Sequence, residues 1–141
     1  MTTIALHYKS KTIAVEGRKT MNGIVSNDTD NKITVNELGA WITTGEVCDI
    51  VDFVKLKKND TYNKDIKLEV SGLLVSDGIV YYVFMAEGVF CQEEINHNFT
   101  LGSGSQFATA AMDYGKGAEE AVKYAITRDI YSGGRVRVFN V

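Results

Sequence analysis

Thr2-Thr3-Ile4-Ala5-Leu6-His7-Tyr8-Lys9-Ser10-Lys11-Thr12-Ile13-Ala14-Val15-Glu16-Gly17-Arg18 follows Met1, and the reading of the whole chain turns on this stretch. Ile4, Leu6 and Tyr8 alternate with Ala5, His7 and Lys9, the period of two that marks a strand. Lys9-Ser10-Lys11 is a polar turn and Thr12-Ile13-Ala14-Val15 returns as a second strand, so the stretch predicts a hairpin. A hydroxyl residue stands at its start. Threonine is a weak nucleophile at its ordinary pKa, and one way to activate it is for its own α-amino group to act as the base. Removal of Met1 would put nucleophile and base on Thr2 together. Many chains begin Met-Thr for no catalytic reason, so this start decides little by itself.

Outward from the hairpin, the hydrophobic period changes several times. Ser26-Asn27-Asp28-Thr29-Asp30-Asn31 is turn-rich and leads into Lys32-Ile33-Thr34-Val35 and Ala40-Trp41-Ile42-Thr43, two short strands. A helix is expected from Gly45 to about Lys58, with Val47, Ile50, Val51 and Val54 as its apolar face. Ile66, Leu68 and Val70 return to strand, Asp77-Gly78 signals a hairpin turn, and Ile79-Val80-Tyr81-Tyr82-Val83-Phe84 reads as a strand buried on both faces. Beyond Gly102-Ser103-Gly104-Ser105 come two helices, Gln106 to Tyr114 and Ala118 to Arg128, parted by Gly115 and Gly117. Ala118, Ala121, Val122 and Ala125 fall at i, i+3, i+4 and i+7, with side chains small enough for close approach to a neighbour. Val136, Val138 and Val141 supply a last strand. This order suggests an α+β fold of antiparallel sheets flanked by helices, in one domain spanning 1–141.

Composition narrows the function classes. A chain of 141 residues, 45% hydrophobic and 23% charged, has the make-up of an ordinary globular domain. A net charge of -3 lacks the basic footprint of a nucleic-acid binder. No apolar run approaches the ~20 residues of a membrane span and residues 1–15 do not read as a signal peptide, which makes the cytoplasm the expected location and a membrane partner unexpected. Cys48 and Cys91 then read as buried thiols. His7 and His97 stand apart from both cysteines, so no metal pattern is expected.

Glu16, Arg18, Lys32, Gly102-Ser103-Gly104 and Arg128-Asp129-Ile130-Tyr131-Ser132-Gly133-Gly134 complete a set of separated motifs. In this order, behind an N-terminal threonine, the chain resembles the proteasome β-subunit family of N-terminal nucleophile hydrolases, including its bacterial unfoldase-coupled relatives. The resemblance covers residues 2–45 and 66–138 and implies a four-layer αββα sandwich. It implies Thr2 as nucleophile, attacking a peptide carbonyl and forming an acyl-enzyme. Lys32 becomes the cation beside Thr2, and Glu16 the group that keeps Lys32 charged and oriented. Taken alone, Lys32 would read as a surface strand lysine. Ser103, Asp129 and Ser132 become the network around the threonine amine, Gly45 the backbone oxyanion donor, and Thr20, Thr43 and Cys48 the lining of the substrate pocket. The plainer readings are a flexible turn with a helix-capping serine at 102–105 and an exposed ion pair at Arg128-Asp129. No cofactor is implied. The implied partners are a homo-oligomeric ring, to which the small-residue faces at Ala108, Ala110, Ala111, Ala118, Ala121 and Ala125 are expected to contribute, unfolded polypeptide as substrate, and an ATP-dependent unfoldase.

The chain also departs from the family. Glu16 stands where aspartate is more common, and the opening hairpin is two residues shorter. The polar stretch Lys57-Lys58-Asn59-Asp60-Thr61-Tyr62-Asn63-Lys64 occupies the place of a second helix, which implies a reduced first helical layer. Two other functions fit the same residues: a non-proteolytic ring or assembly protein that retains Met1, and an amidohydrolase acting on small amides.

Overall fold

The computed structural model describes residues 2–63 and 65–141; Met1, whose removal the expected Thr2 nucleophile would need, and Lys64 lie outside the described residues. The chain order begins β1 (Thr3–His7), β2 (Thr12–Val15), β3 (Lys19–Met21), β4 (Ile24–Asn27), β5 (Ile33–Asn36), β6 (Gly39–Gly45), α1 (Val47–Phe53). It continues β7 (Val70–Ser76), β8 (Ile79–Ala86), β9 (Val89–Glu94), β10 (Phe99–Gly102), α2 (Ser105–Asp113), α3 (Ala118–Ile126), β11 (Arg137–Asn140). The fold is α+β, and its elements group into two compact units.

The first unit runs to Lys32 and resumes over Asn96–Val141. Its four-stranded sheet has the order β10-β1-β2-β11, every pair antiparallel. The opening hairpin forms in the expected place, with Ile4 opposite Val15 and Leu6 opposite Ile13. Alternation understates its burial, because Ala5 and Ala14 are as buried as Ile4 and Leu6. These two alanines pack into one cluster with Ala108, Ala111, Met112, Ala118, Ala121, Val122 and Ala125 of α2 and α3. A face of methyl groups lets two helices lie close to a sheet, which larger side chains would hold off. That packing corrects one expectation: apart from the exposed Ala110, the small residues suggested for ring contacts are consumed by the chain's own core. The unit also contains a ribbon the hydrophobic pattern did not show, β3 paired with β4, so Ser26 and Asn27 lie in a strand rather than a turn. Its signal was Asn22-Gly23, both at positive φ (51° and 76°), the requirement of a type I′ hairpin.

The second unit, Ile33–Ile95, is a five-stranded antiparallel meander in sequence order from β5 to β9 with α1 against β6 and β7. Asp77-Gly78 forms the expected turn, and Glu87-Gly88 repeats its geometry before β9, a strand the sequence reading left out together with β10. Trp41, Phe53 and Phe90 meet at ring-centroid distances of 5.9, 6.0 and 5.3 Å. Asn36 Oδ1 accepts hydrogen bonds from Trp41 Nε1 and the Leu38 amide, so the indole is buried with its polar edge satisfied.

That aromatic trio shifts the expected face of α1, of which Val54 is buried and Ile50 packs against the cluster while Val47 and Val51 do not. Phe53 and Val54 are buried, whereas Val47 and Val51 are exposed, because the helix turns toward the ring contacts of Phe53 with Trp41 and Phe90. α1 ends at Phe53, short of Lys58, and no second helix lies between it and β7 among the described residues. Ile66 and Leu68 precede β7 instead of joining it, and Ile66 is exposed. In β8 the expectation of burial on both faces holds only for Val80 and Val83; Ile79 is exposed. Cys48 is exposed and Cys91 half-buried, against the expectation of two buried thiols.

Candidate active site

Thr2 is 2% exposed at the threshold of β1. The chain is held there by Gly102 on β10, whose φ of 94° suits glycine and where a Cβ would fall 1.8 Å from the Thr2 carbonyl oxygen. Lys32, just ahead of β5, aims its ammonium at this point. Its Nζ donates to Thr2 Oγ1 at 2.9 Å, to Glu16 Oε1 at 2.6 Å and to the Arg18 carbonyl at 2.7 Å. An ammonium has three protons, and here each has an acceptor. Lys32 is therefore placed as a fixed cation beside the threonine hydroxyl.

Glu16 follows directly on β2 and is 1% exposed. A buried carboxylate is costly unless its lone pairs are used. Besides the Lys32 ion pair, its Oε2 accepts from the Arg18 amide at 2.8 Å and the Gly133 amide at 3.0 Å. Arg18 forks onto Asp28 through Nε at 2.8 Å and Nη2 at 3.1 Å and donates from Nη1 to the Ile130 carbonyl. The hydrogen bond from Arg18 holds the Asp28 carboxyl below the usual carboxylate range, and reciprocally the guanidinium is raised. Gly133 lies under this guanidinium: a Cβ there would meet Arg18 Cζ at 2.4 Å. The glycine of the 128–134 motif thus makes room for Arg18 and offers its amide to Glu16.

A second network adjoins the first residues of β1. Asp129, 8% exposed, accepts on Oδ2 from Ser103 Oγ at 2.5 Å and Ser132 Oγ at 2.7 Å, and on Oδ1 from the Tyr131 amide at 3.2 Å. Burial pushes this carboxyl up, but the hydrogen bonds from Ser103, Ser132 and Tyr131 outweigh it, and its pKa falls below the ordinary value. Thr3, fully buried, places Oγ1 2.7 Å from Ser132 Oγ. No described buried side-chain nitrogen or oxygen lacks a partner.

All six residues expected to be catalytic, Thr2, Glu16, Lys32, Ser103, Asp129 and Ser132, lie in the first unit, linked by these hydrogen bonds into two clusters. Asp129 is a network centre, not one half of an exposed ion pair, and Ser105 does not cap α2 through its side chain. Thr20 sits on β3, half-buried. Gly45 and Thr43 belong to the second unit: Thr43 is buried on β6 opposite Gly72, and Gly45 ends β6 at φ 138°, where a Cβ would fall 1.9 Å from the Glu69 carbonyl oxygen. Cys48 donates weakly to Asp49 on the surface of α1. Sequence reasoning missed Thr3 and Asp28. Neither carries a local signal, since their partners are 129 and 10 residues away.

Chemically, the arrangement offers a buried hydroxyl with a cation in hydrogen-bond contact and a nearby acidic network. An alkoxide developing on Thr2 Oγ1 would meet a charge already in position. Among the described residues no group of three or more His, Cys, Asp or Glu is arranged to hold a metal ion, and no helix is long and apolar enough to cross a membrane.

No protein-family model matches the chain, and no curated protein matches it by sequence. Solved structures do. HslV from Trypanosoma brucei shares 20% identity over 98% of this chain and 98% of its own, with a TM-score of 0.73. BPH from Thiobacillus denitrificans, in complex with epoxomicin, shares 19% identity over 98% and 97% at a TM-score of 0.70. A further structure of BPH shares 18% over 98% and 96% at 0.71. These neighbours are HslV and bacterial proteasome-like peptidases, and at such identities the likeness establishes the fold.

Proposed function

We propose that this chain is a proteasome β-subunit-like threonine peptidase whose nucleophile is Thr2, exposed as the N-terminal residue by removal of Met1. The observation that carries the reading is the contact of Lys32 Nζ with Thr2 Oγ1 at 2.9 Å while Glu16 and the Arg18 carbonyl hold the other two ammonium protons. Thr2 Oγ attacks the scissile carbonyl carbon, and its proton passes to the Thr2 amine directly or through one water. Lys32 stabilises the developing alkoxide and the Gly45 amide the carbonyl oxyanion. The C–N bond then breaks, the proton leaves with the new amine, and water hydrolyses the Thr2 ester. Asp129, with Ser103 and Ser132, sets the protonation of the terminal amine. By the family resemblance, Thr20 and Thr43 would line the substrate pocket.

The same reading places the chain, as one domain of the four-layer αββα type, in a closed homo-oligomeric ring in the cytoplasm. Confinement would supply the selectivity that such simple chemistry lacks, admitting unfolded polypeptide, with an ATP-dependent unfoldase as partner. The test is the intact mass of the purified protein with and without a peptide epoxyketone. Loss of Met1 and one adduct, absent in Thr2→Ala, is the expected outcome. Retained Met1 with no adduct overturns it in favour of a non-proteolytic ring protein. A processed, labelled chain that cleaves only small amides points to an amidohydrolase.

A further inference from the structure

Thr3 is a fully buried polar residue to which the mechanism above gives no task. Its oxygen lies 2.7 Å from Ser132 Oγ, and either oxygen could donate. The surroundings decide the direction. Ser132 has one hydroxyl proton and directs it to Asp129 Oδ2 at 2.7 Å, so the proton in the Thr3–Ser132 contact comes from Thr3. The order is Thr3 to Ser132 to Asp129, and Ser103 donates to the same carboxylate oxygen from the other branch. Gly104 leaves the space this geometry needs, for a Cβ there would fall 2.1 Å from Thr3 Oγ1. Consecutive residues of an extended chain point their side chains to opposite faces. Thr2 is accordingly anchored through Lys32 and Thr3 through Ser132, and the peptide carrying the nucleophile is tied into both clusters.

We propose that Thr3 is a positioning residue of the Thr2 site, its hydroxyl orienting Ser132 toward Asp129 and fixing the peptide that bears the nucleophile. This rests on the reading of Thr2 as nucleophile, and the wild-type control separates the two. Inactivation by a peptide epoxyketone is followed in wild type, Thr3→Val and Thr3→Ser, per molecule shown by intact mass to have lost Met1. Thr3→Val keeps the shape and removes the donor; its covalent step slows roughly tenfold to a hundredfold, with the concentration for half-saturation unchanged. Thr3→Ser restores most of the rate. A Thr3→Val protein inactivated at the wild-type rate overturns the proposal, as does a Thr3→Ser protein as slow as Thr3→Val, or an effect confined to half-saturation. Wild type that forms no adduct removes the nucleophile reading and this inference with it. If Thr3→Val does not fold, Thr3→Ala carries the same comparison against Thr3→Ser.

Discussion

The two units solve burial in opposite ways. The second buries large aromatic rings, Trp41, Phe53 and Phe90, around a satisfied Asn36. The first buries methyl groups at its sheet–helix contact and places ions and hydroxyls, Glu16, Asp129, Ser132 and Thr3, beside it. Aromatic packing tolerates small displacements because dispersion is spread over many contacts. A buried carboxylate does not, since each lone pair depends on one donor at one distance. Tightly placed glycines occur in both units, and in the second a Cβ at Gly39, Gly45 or Gly72 would fall 2.2, 1.9 or 2.3 Å from a backbone carbonyl oxygen. In the first unit Gly102, Gly104 and Gly133 stand where a Cβ would collide with Thr2, Thr3 and Arg18, whereas at Gly23 and Gly78, on hairpin tips, nothing lies within 4 Å.

Removing the cation tests this contrast most severely. Lys32→Ala is expected to slow epoxyketone labelling by ~10³-fold or more and to cost about 3–5 kcal/mol in urea denaturation, because Glu16 is left as an unpaired buried charge. Adding Glu16→Gln to Lys32→Ala should recover much of the stability and none of the labelling. Were stability unmoved in the single variant, Glu16 would not be the buried ion described here. Phe53→Ala should cost about 3–5 kcal/mol yet leave the labelling rate per folded molecule unchanged, measured well below the melting temperature; slower labelling would break the separation between the regions. Gly104→Ala should cost about 1–3 kcal/mol through overpacking against Thr3, and Gly23→Ala about 1 kcal/mol from its left-handed backbone alone, both read from urea midpoints.

Acid should produce the mildest of these effects. Asp129 and Asp28 have carboxyls lowered in the folded chain, so the folded state binds their protons less readily than the unfolded one. Their contribution is fully present above the unfolded carboxylate pKa of about 3.9 and is lost as pH falls through the lower folded values. Urea midpoints should therefore hold from neutrality to about pH 4 and decline below it, with a shallower decline in Asp129→Asn. An unchanged slope in that variant would show that Asp129 carries no depressed titration.

Much of this was legible in the chain itself, and the exceptions share a cause. The opening hairpin, the α3 face at Ala118, Ala121, Val122 and Ala125, and the Asp77-Gly78 turn all follow from local period and local backbone demands, which the sequence encodes directly. The catalytic candidates were readable as well, since Glu16, Lys32, Ser103 and Asp129 occur in order and at spacings that a known family shares. The β3–β4 ribbon was missed because strands of three and four residues have too few positions to establish a period, although Asn22-Gly23 announced the turn.

By itself, then, the sequence determined the α+β order and the principal strands and helices, because each depends on neighbours within about one turn or one hairpin, while the residues that could do chemistry were named by the family resemblance its spaced motifs carry. Only the tertiary structure decided which face of α1 is buried, where a Phe53 meeting Trp41 and Phe90 outweighs the more regular valine stripe. It alone showed that Ala108 and Ala111 of α2 are spent on the core, that Gly133 makes way for Arg18, and that the hydroxyl of Thr3 completes the Asp129 network. Those outcomes depend on groups up to 129 residues apart meeting at hydrogen-bond or van der Waals distance, and such distances exist only once the chain has folded.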